Sequence, residues 1–173
     1  RKRGQQMNSY WWVNQNKTYK EEIGGGYMWS PMKKSNGAKN PFYDTMTQVE
    51  KGDVVFSCYG GLIQAFGIVR EEAIASPKPE EFGNKGSYWG DEGWSVKVLY
   101  QNLTDPISPK DNLDLIAPLL PEKYSPIKQD GGILEAYLCP VPNEMGESLL
   151  SLMPKSAIYD CMNLVKRTIR LYG

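Results

Sequence analysis

"VVFSCYGGLIQAFGIVREEA", residues 54–73, carries the clearest structural signal in the chain. β-Branched and aromatic residues fill both flanks, and Gly60-Gly61 lies between them. Two adjacent glycines accept the positive φ that a two-residue hairpin turn demands. The stretch therefore predicts an antiparallel hairpin of "VVFSCY" (54–59) and "LIQAFGIVREEA" (62–73). Just upstream, "NPFYDTMTQVEKGD" (40–53) predicts a helix ended by Gly52. Asn40 supplies its cap, Pro41 fills the first position, where no N–H is needed, and Phe42, Met46 and Val49 share a face. Farther out, "SYWWVNQN" (9–16) reads as a strand closed by Asn14-Gln15-Asn16, and Thr18 to Ile23 as a short helix stopped by Gly24. "GGGYMWSPMKKSNGAKN" (24–40) is punctuated throughout by Gly and Pro and predicts a basic loop.

Downstream of the hairpin, a flexible segment rich in Pro and Glu runs to about Lys85. "GWSVKVLYQNL" (93–103) alternates as a strand does, Trp94, Val96, Val98 and Tyr100 opposing Ser95, Lys97 and Leu99. "SPKDNLDLIAPLL" (108–120) predicts a short helix, "EAYLCPV" (135–141) a strand, and "PNEMGESLLSLM" (142–153) a helix capped by Asn143. Beyond Pro154, Ile158, Cys161, Met162, Val165 and Ile169 keep helical spacing. No internal repeat is present. Short strands, a hairpin, long connections and peripheral helices predict an α+β fold built on a small twisted β-barrel rather than a parallel α/β sheet.

Composition narrows the function classes. At 173 residues, 40% hydrophobic and 23% charged, the chain is one globular domain with or without a trailing element. No apolar run approaches the ~20 residues that cross a bilayer, and no signal-peptide core opens the sequence, so a cytoplasmic location without membrane partners is expected. Cys58, Cys139 and Cys161 are odd in number, far apart and set among apolar residues, which predicts buried free thiols. The chain has 0 His, which excludes Cys/His zinc patterns, Ser-His and Cys-His nucleophile pairs and histidine-dependent nuclease motifs. Acids fall in solvated runs such as "REEA", "PEEF" and "GDEG", and no predicted strand ends in the acid-x-Lys triplet of a metal-dependent nuclease. A binding module without cofactor or metal is expected.

Charge is neutral in sum and uneven in place. Residues 1–40 hold eight Lys/Arg against two Glu, residues 41–154 eight against seventeen acids, and residues 155–173 four against one. Residues 1–7, with Arg1, Lys2 and Arg3, read as a leader. Lys33, Lys34 and Lys39 crowd around Trp29 and are candidate phosphate contacts.

Of five tryptophans, Trp11 or Trp12 must face inward on its strand, and Trp94 reads as core. Trp29 and Trp89 lie among Gly, Ser and charges, either as lids on the barrel or as pocket walls. Two facing walls would make a slot for a planar ligand. Stacking contributes ~1–3 kcal/mol per base, comparable with the few kcal/mol needed to extrude a base from a duplex. Asn14, Asn16, Ser30 and Ser57 are candidates for reading the base edge, against the alternative of local cap and turn bonds; Tyr59 joins the same candidate pocket.

The succession of an aromatic strand running into an Asn-containing loop, "GYMWSP", "NGAKNPFYDTM" and "VEKGDVVFSCYGGLIQAFGIV" resembles the EVE branch of the PUA-like superfamily, which is related to YTH domains. "WGDEGWSVKVLY" and "AYLCPVPNEMGESLLSL" are similar to its later segments, so the likeness spans residues 9–153. The resemblance is closest to the EVE module at the front of HNH-type modification-dependent restriction endonucleases. It implies a PUA-like domain over residues 8–153 that takes a flipped 5-methylcytosine or 5-hydroxymethylcytosine of double-stranded DNA into an aromatic cage. Trp29 would be one cage residue, Trp89 or Trp94 the other, and Asn14 or Asn16 the polar residue after the first strand. Residues 154–173 would begin a linker toward a fused nuclease domain absent from this His-free chain. A YTH-like reader of single-stranded RNA and a small-molecule-sensing PUA-like domain are the alternatives. One buried methyl gains only about 0.8 kcal/mol, so sharper discrimination needs a penalty against the plain base.

Overall fold

The computed structural model describes residues 8–87 and 89–172, leaving the leader assigned to residues 1–7 outside the described residues. Seven strands form one sheet: β1 (Tyr10–Asn14), β2 (Tyr27–Pro31), β3 (Val54–Tyr59), β4 (Leu62–Val69), β5 (Ile74–Pro77), β6 (Glu92–Ile107) and β7 (Leu138–Val141). Their order is β2-β6-β4-β3-β1-β7, with β5 paired to β6. All pairs are antiparallel except β1 with β3, which run parallel from Tyr10↔Val54 to Asn14↔Cys58. Five helices surround the sheet: α1 (Tyr19–Gly25), α2 (Pro41–Asp44), α3 (Leu113–Ile116), α4 (Asn143–Ser151) and α5 (Lys155–Tyr172), with short 3-10 turns between.

Strand alternation divides the core between the two faces of the sheet. Trp11, Val13, Val55, Val96 and Val98 pack with Met28, Met46 and Leu138 inside the curl. Trp12, Phe56, Phe66 and Ile68 pack on the other face with Ile116, Met145, Leu149 and Cys161 of the C-terminal helices. Both neighbours of the Trp11-Trp12 pair are therefore core. Met28 of β2 and Leu138 of β7, from opposite ends of the strand order, share one cluster. The sheet thus curls until its edges approach, giving a strongly twisted half-barrel with peripheral helices.

Local chemistry explains the elements that the sequence predicts. The hairpin turns at Gly60 (φ +63°) and Gly61 (φ +79°). Asn40 Oδ1 accepts the Phe42 N–H at 2.9 Å, the expected cap of α2. Buried Asp53 fastens the start of β3 to β1 by accepting from Ser9 N–H at 3.1 Å, Trp11 Nε1–H at 2.9 Å and Glu50 N–H at 2.9 Å. All three cysteines are free and buried, and burial pushes the Cys58 and Cys139 thiols up to about 12.

Several expectations are corrected. The 24–40 segment is not all loop: Tyr27–Pro31 is a strand, because its ladder to Gly93–Lys97 of β6 outweighs its unfavourable local composition. The helix before it runs on to Gly25 and stops at left-handed Gly26, not at Gly24. β4 ends at Val69 rather than residue 73, and the segment expected to be flexible contains β5. The 93–103 strand extends to Ile107, and the 135–141 strand is confined to Leu138–Val141. The 40–53 helix is a single α-turn followed by a 3-10 turn, and the 108–120 helix a single α-turn between two 3-10 turns. Pro142, not Asn143, occupies the cap of α4, with no side-chain cap bond. The first half of α5 does not leave the barrel, since Ala157 and Ile158 pack on the core and Cys161 is buried. Among the described residues no helix is long and apolar enough to cross a membrane.

Candidate functional site

Where the curled edges meet, a cleft of about 320 Å³ opens. Four stretches converge on it: residues 14–18 after β1, Trp29, Ser30 and Pro31 of β2, Asn40 and Tyr43 beside α2, and residues 135–137 before β7, with Trp89 added from the β5–β6 connection. Its volume lies at the small end of the range for ligand sites, roughly 300–1,000 Å³.

Asn14 is wholly committed to the framework. Its Oδ1 accepts Trp12 Nε1–H at 2.9 Å, and its Nδ2 donates to Leu134 O at 3.1 Å and Ala136 O at 2.6 Å. It thereby ties the end of β1 to the backbone leading into β7. Asn16 is exposed in the next turn with φ +37°. Gln15, between them, is buried: Oε1 accepts from Ser57 Oγ at 2.6 Å, while Nε2 donates to Tyr100 Oη at 2.9 Å and Glu22 Oε1 at 3.2 Å. Ser57 therefore acts behind the cleft, through Gln15.

Glu22 of α1 is fully buried and collects four donors. Gln15 Nε2, Tyr137 Oη and the Trp29 N–H, at 3.4 Å, reach Oε1, and Thr18 Oγ1 reaches Oε2. Burial pushes this carboxyl up to about 8, against the opposing pull of its hydrogen bonds. The Trp29 N–H also donates to Tyr137 Oη at 2.9 Å, so one carboxyl joins the exposed edge of β2 to the approach of β7.

Trp29 is 2% exposed, and its Nε1–H donates to Ser76 O at 3.1 Å. Phe82 meets it edge-on, and Trp89 lies against it at 6.3 Å between centroids and 40° between planes. The expected pair of facing, parallel indoles is corrected: the rings touch at an angle and form adjoining panels, with no slot between two parallel faces. Trp89 is held from behind by Gly86 (φ +65°), where an added Cβ would fall 2.0 Å from the ring, and Lys78 Nζ lies 5.9 Å from its centroid. Ser30 is buried, and its hydroxyl donates only to the adjacent Pro31 O at 3.2 Å.

Of the sequence-predicted pocket residues, Asn14, Asn16, Trp29, Ser30 and Trp89 converge on the cleft. Ser57, Tyr59 and Trp94 are not among its lining residues. Tyr59 stacks on Tyr19 at 4.9 Å and 14°, and Trp94 packs against the inner core, as its sequence reading as core expects. Lys33, Lys34 and Lys39 are exposed on the excursion that joins Pro31 to Asn40, both of which line the cleft. Gln15, Thr18, Glu22 and Tyr137 were missed. The Thr18/Glu22 spacing, one helical turn, was the available signal. Among the described residues no group of His, Cys, Asp and Glu could hold a metal ion.

No protein-family model matches the chain, and no curated protein matches it. Its fold is shared with solved structures. The N-terminal domain of McrB from Staphylothermus marinus superposes with a TM-score of 0.51 at 13% identity, covering 84% of this chain and 95% of that one. The ASCH protein of Zymomonas mobilis gives 0.51 at 10%, covering 84% and 96%. A protein from Pseudomonas syringae gives 0.51 at 14%, covering 83% and 99%. At these identities the likeness is one of fold: a PUA-like, ASCH-like twisted barrel with peripheral helices.

Proposed function

We propose that this chain is a specificity module that reads 5-methylcytosine or 5-hydroxymethylcytosine in double-stranded DNA by taking the flipped base into the Trp29/Trp89 cleft. The observation that carries this reading is the cleft itself, which sets buried aromatic surface beside buried hydroxyl and amide groups at the seam of the barrel. The EVE-like order of motifs supports it, and so does the basic excursion over Lys33, Lys34 and Lys39, which is suited to phosphates beside an extruded nucleotide. Ser30, whose buried hydroxyl accepts no hydrogen bond among the described residues, is the assigned reader of the base edge. Asn14 instead holds the wall. The domain is residues 8–153 together with the first half of α5, which packs on its core, and it is cytoplasmic, with the rest of α5 leading toward a fused nuclease domain. In this reading it runs no reaction of its own, which accords with three buried, raised thiols and with a Glu22 carboxyl that burial pushes up to about 8.

A fluorescence titration tests the assignment. Matched duplexes carrying cytosine, 5-methylcytosine, 5-hydroxymethylcytosine or N6-methyladenine are added to the wild type and to Trp29→Ala. Tighter binding of a modified cytosine, lost in Trp29→Ala, is expected. Equal affinity for all four sinks the reading, and preference for the same bases in single-stranded RNA moves it to the YTH-like class.

A further inference from the structure

Glu22 lines no part of the cleft, yet two residues that do, Gln15 and Tyr137, place a polar hydrogen on its carboxyl group, as does the Trp29 N–H, and the Thr18 hydroxyl lies within hydrogen-bond reach of it. The hydrogens can be counted. Tyr137 Oη accepts from the Trp29 N–H, so its own proton points to Glu22 Oε1. Gln15 Nε2 points to the same oxygen and to Tyr100 Oη, which passes its proton to Tyr27 O at 3.0 Å. Thr18 has one hydroxyl proton and two oxygens in reach, Gln15 O at 3.1 Å and Glu22 Oε2. A proton on Oε2 resolves the competition: Glu22 donates to Thr18 Oγ1, and Thr18 donates to Gln15 O. Every group in the chain then has a partner, and no charge is buried.

Among the described residues no cation is a partner of Glu22 that would balance its ionised form. The titratable groups facing it are the hydroxyls of Tyr27 from β2, Tyr100 from β6 and Tyr137, all raised first by burial and therefore neutral. On its own helix Glu21 is engaged by Lys85 Nζ at 2.6 Å and Lys20 is exposed, as is Lys17 in the 3-10 turn before it. No lysine or arginine is among the described partners of Glu22.

We propose that Glu22 is a positioning residue: its carboxyl proton keeps the seam between β2 and the β7 approach closed and the polar side of the cleft in one hydrogen-bonding direction, and loss of that proton opens the seam and releases a bound base. The seam argument stands on the hydrogen-bond count, whereas release of a base rests on the reading of the cleft given above. Ligand binding that requires one proton weakens tenfold per pH unit above the group's pKa. With Glu22 titrating at about 8, affinity falls about 30-fold between pH 6.5 and 9.5.

The test pairs two readouts on the wild type and E22Q at constant salt. Binding of a duplex carrying one 5-hydroxymethylcytosine is measured from pH 6.5 to 9.5, and the Trp29 backbone amide is followed by 15N NMR without DNA. The expected result is a fall in wild-type affinity and a titrating Trp29 amide, both absent in E22Q, whose amide nitrogen donates to Thr18 at every pH. A parallel fall in both proteins, or a Trp29 amide that does not titrate in the wild type, overturns the role of Glu22. If no modified duplex binds either protein at any pH, the base-reading function fails, and with it the claim of base release. The Trp29 titration then still decides the seam: a shift in the wild type alone upholds it, and its absence overturns it.

Discussion

Replacing Asn14 by alanine separates two roles that the sequence alone leaves open. The side chain makes three hydrogen bonds, to Trp12 Nε1–H, Leu134 O and Ala136 O, at a position only 6% exposed. Each contributes on the order of 1 kcal/mol net, and the orphaned indole N–H adds its own desolvation cost, giving a loss of about 3–5 kcal/mol. That is a large share of the ~5–15 kcal/mol that holds a domain together. In a chain of this size it lowers Tm by on the order of 10 °C. Asn14→Asp sharpens the test, because a carboxylate accepts from Trp12 but cannot donate to two carbonyls. A protonated Asp restores one of those donations, so the folded state binds a proton that the unfolded chain releases, and the damage grows with pH. Urea unfolding followed by tryptophan fluorescence at pH 5 and pH 8 reads both effects. A destabilisation of Asn14→Ala below about 1 kcal/mol, together with loss of modified-base discrimination by the folded variant, would refute the reasoning and return this amide to the ligand.

Three further outcomes are expected. Glu22 has an ordinary value of 4.5 and a folded value of about 8, so between those limits the folded state holds the extra proton and stability falls as pH rises, by roughly 4–5 kcal/mol in all, levelling above 8. E22Q removes the slope, so its urea midpoint overtakes the wild type's by a widening margin from pH 5 to 8; parallel profiles count against the buried proton. Asp53→Asn turns an NH2 toward at least one of three N–H donors and costs about 1–3 kcal/mol in urea unfolding, while an unchanged midpoint would mean that Asp53 does not fasten β3 to β1. Gly86→Ala places a methyl against the Trp89 ring at positive φ, a strain of about 1–2 kcal/mol confined to its loop. Cleft binding should fall while Tm drops by only a few degrees, and intact binding would show that Trp89 is no wall.

What the sequence reveals follows how local its causes are. The Gly60-Gly61 turn and the Asn40-Pro41 helix start are set by φ preferences and by a cap two residues from its donor, and both form as read. β2 escapes because its two strand-favouring residues, Tyr27 and Trp29, are hemmed in by three glycines and Pro31, and its partners lie at Gly93–Lys97. The aromatic character of the cleft is visible in Trp29 and Trp89, but the angle between them depends on Phe82 and Gly86, which composition does not place. Gln15 reads as loop punctuation beside two asparagines, yet it is buried, because the parallel pairing of β1 and β3 carries the chain inward past Cys58, whose carbonyl receives the Gln15 N–H at 3.2 Å.

That parallel pairing has an evolutionary reach. Two strands running the same way oblige the polypeptide to travel back across the molecule between them, and the return journey, residues 15–53, supplies nine of the fourteen residues around the cleft. Most of the cleft wall is therefore carried by a single contiguous cassette. Exchange of that cassette between relatives, with the hairpin and C-terminal helices left in place, can rebuild the cleft in one recombination event.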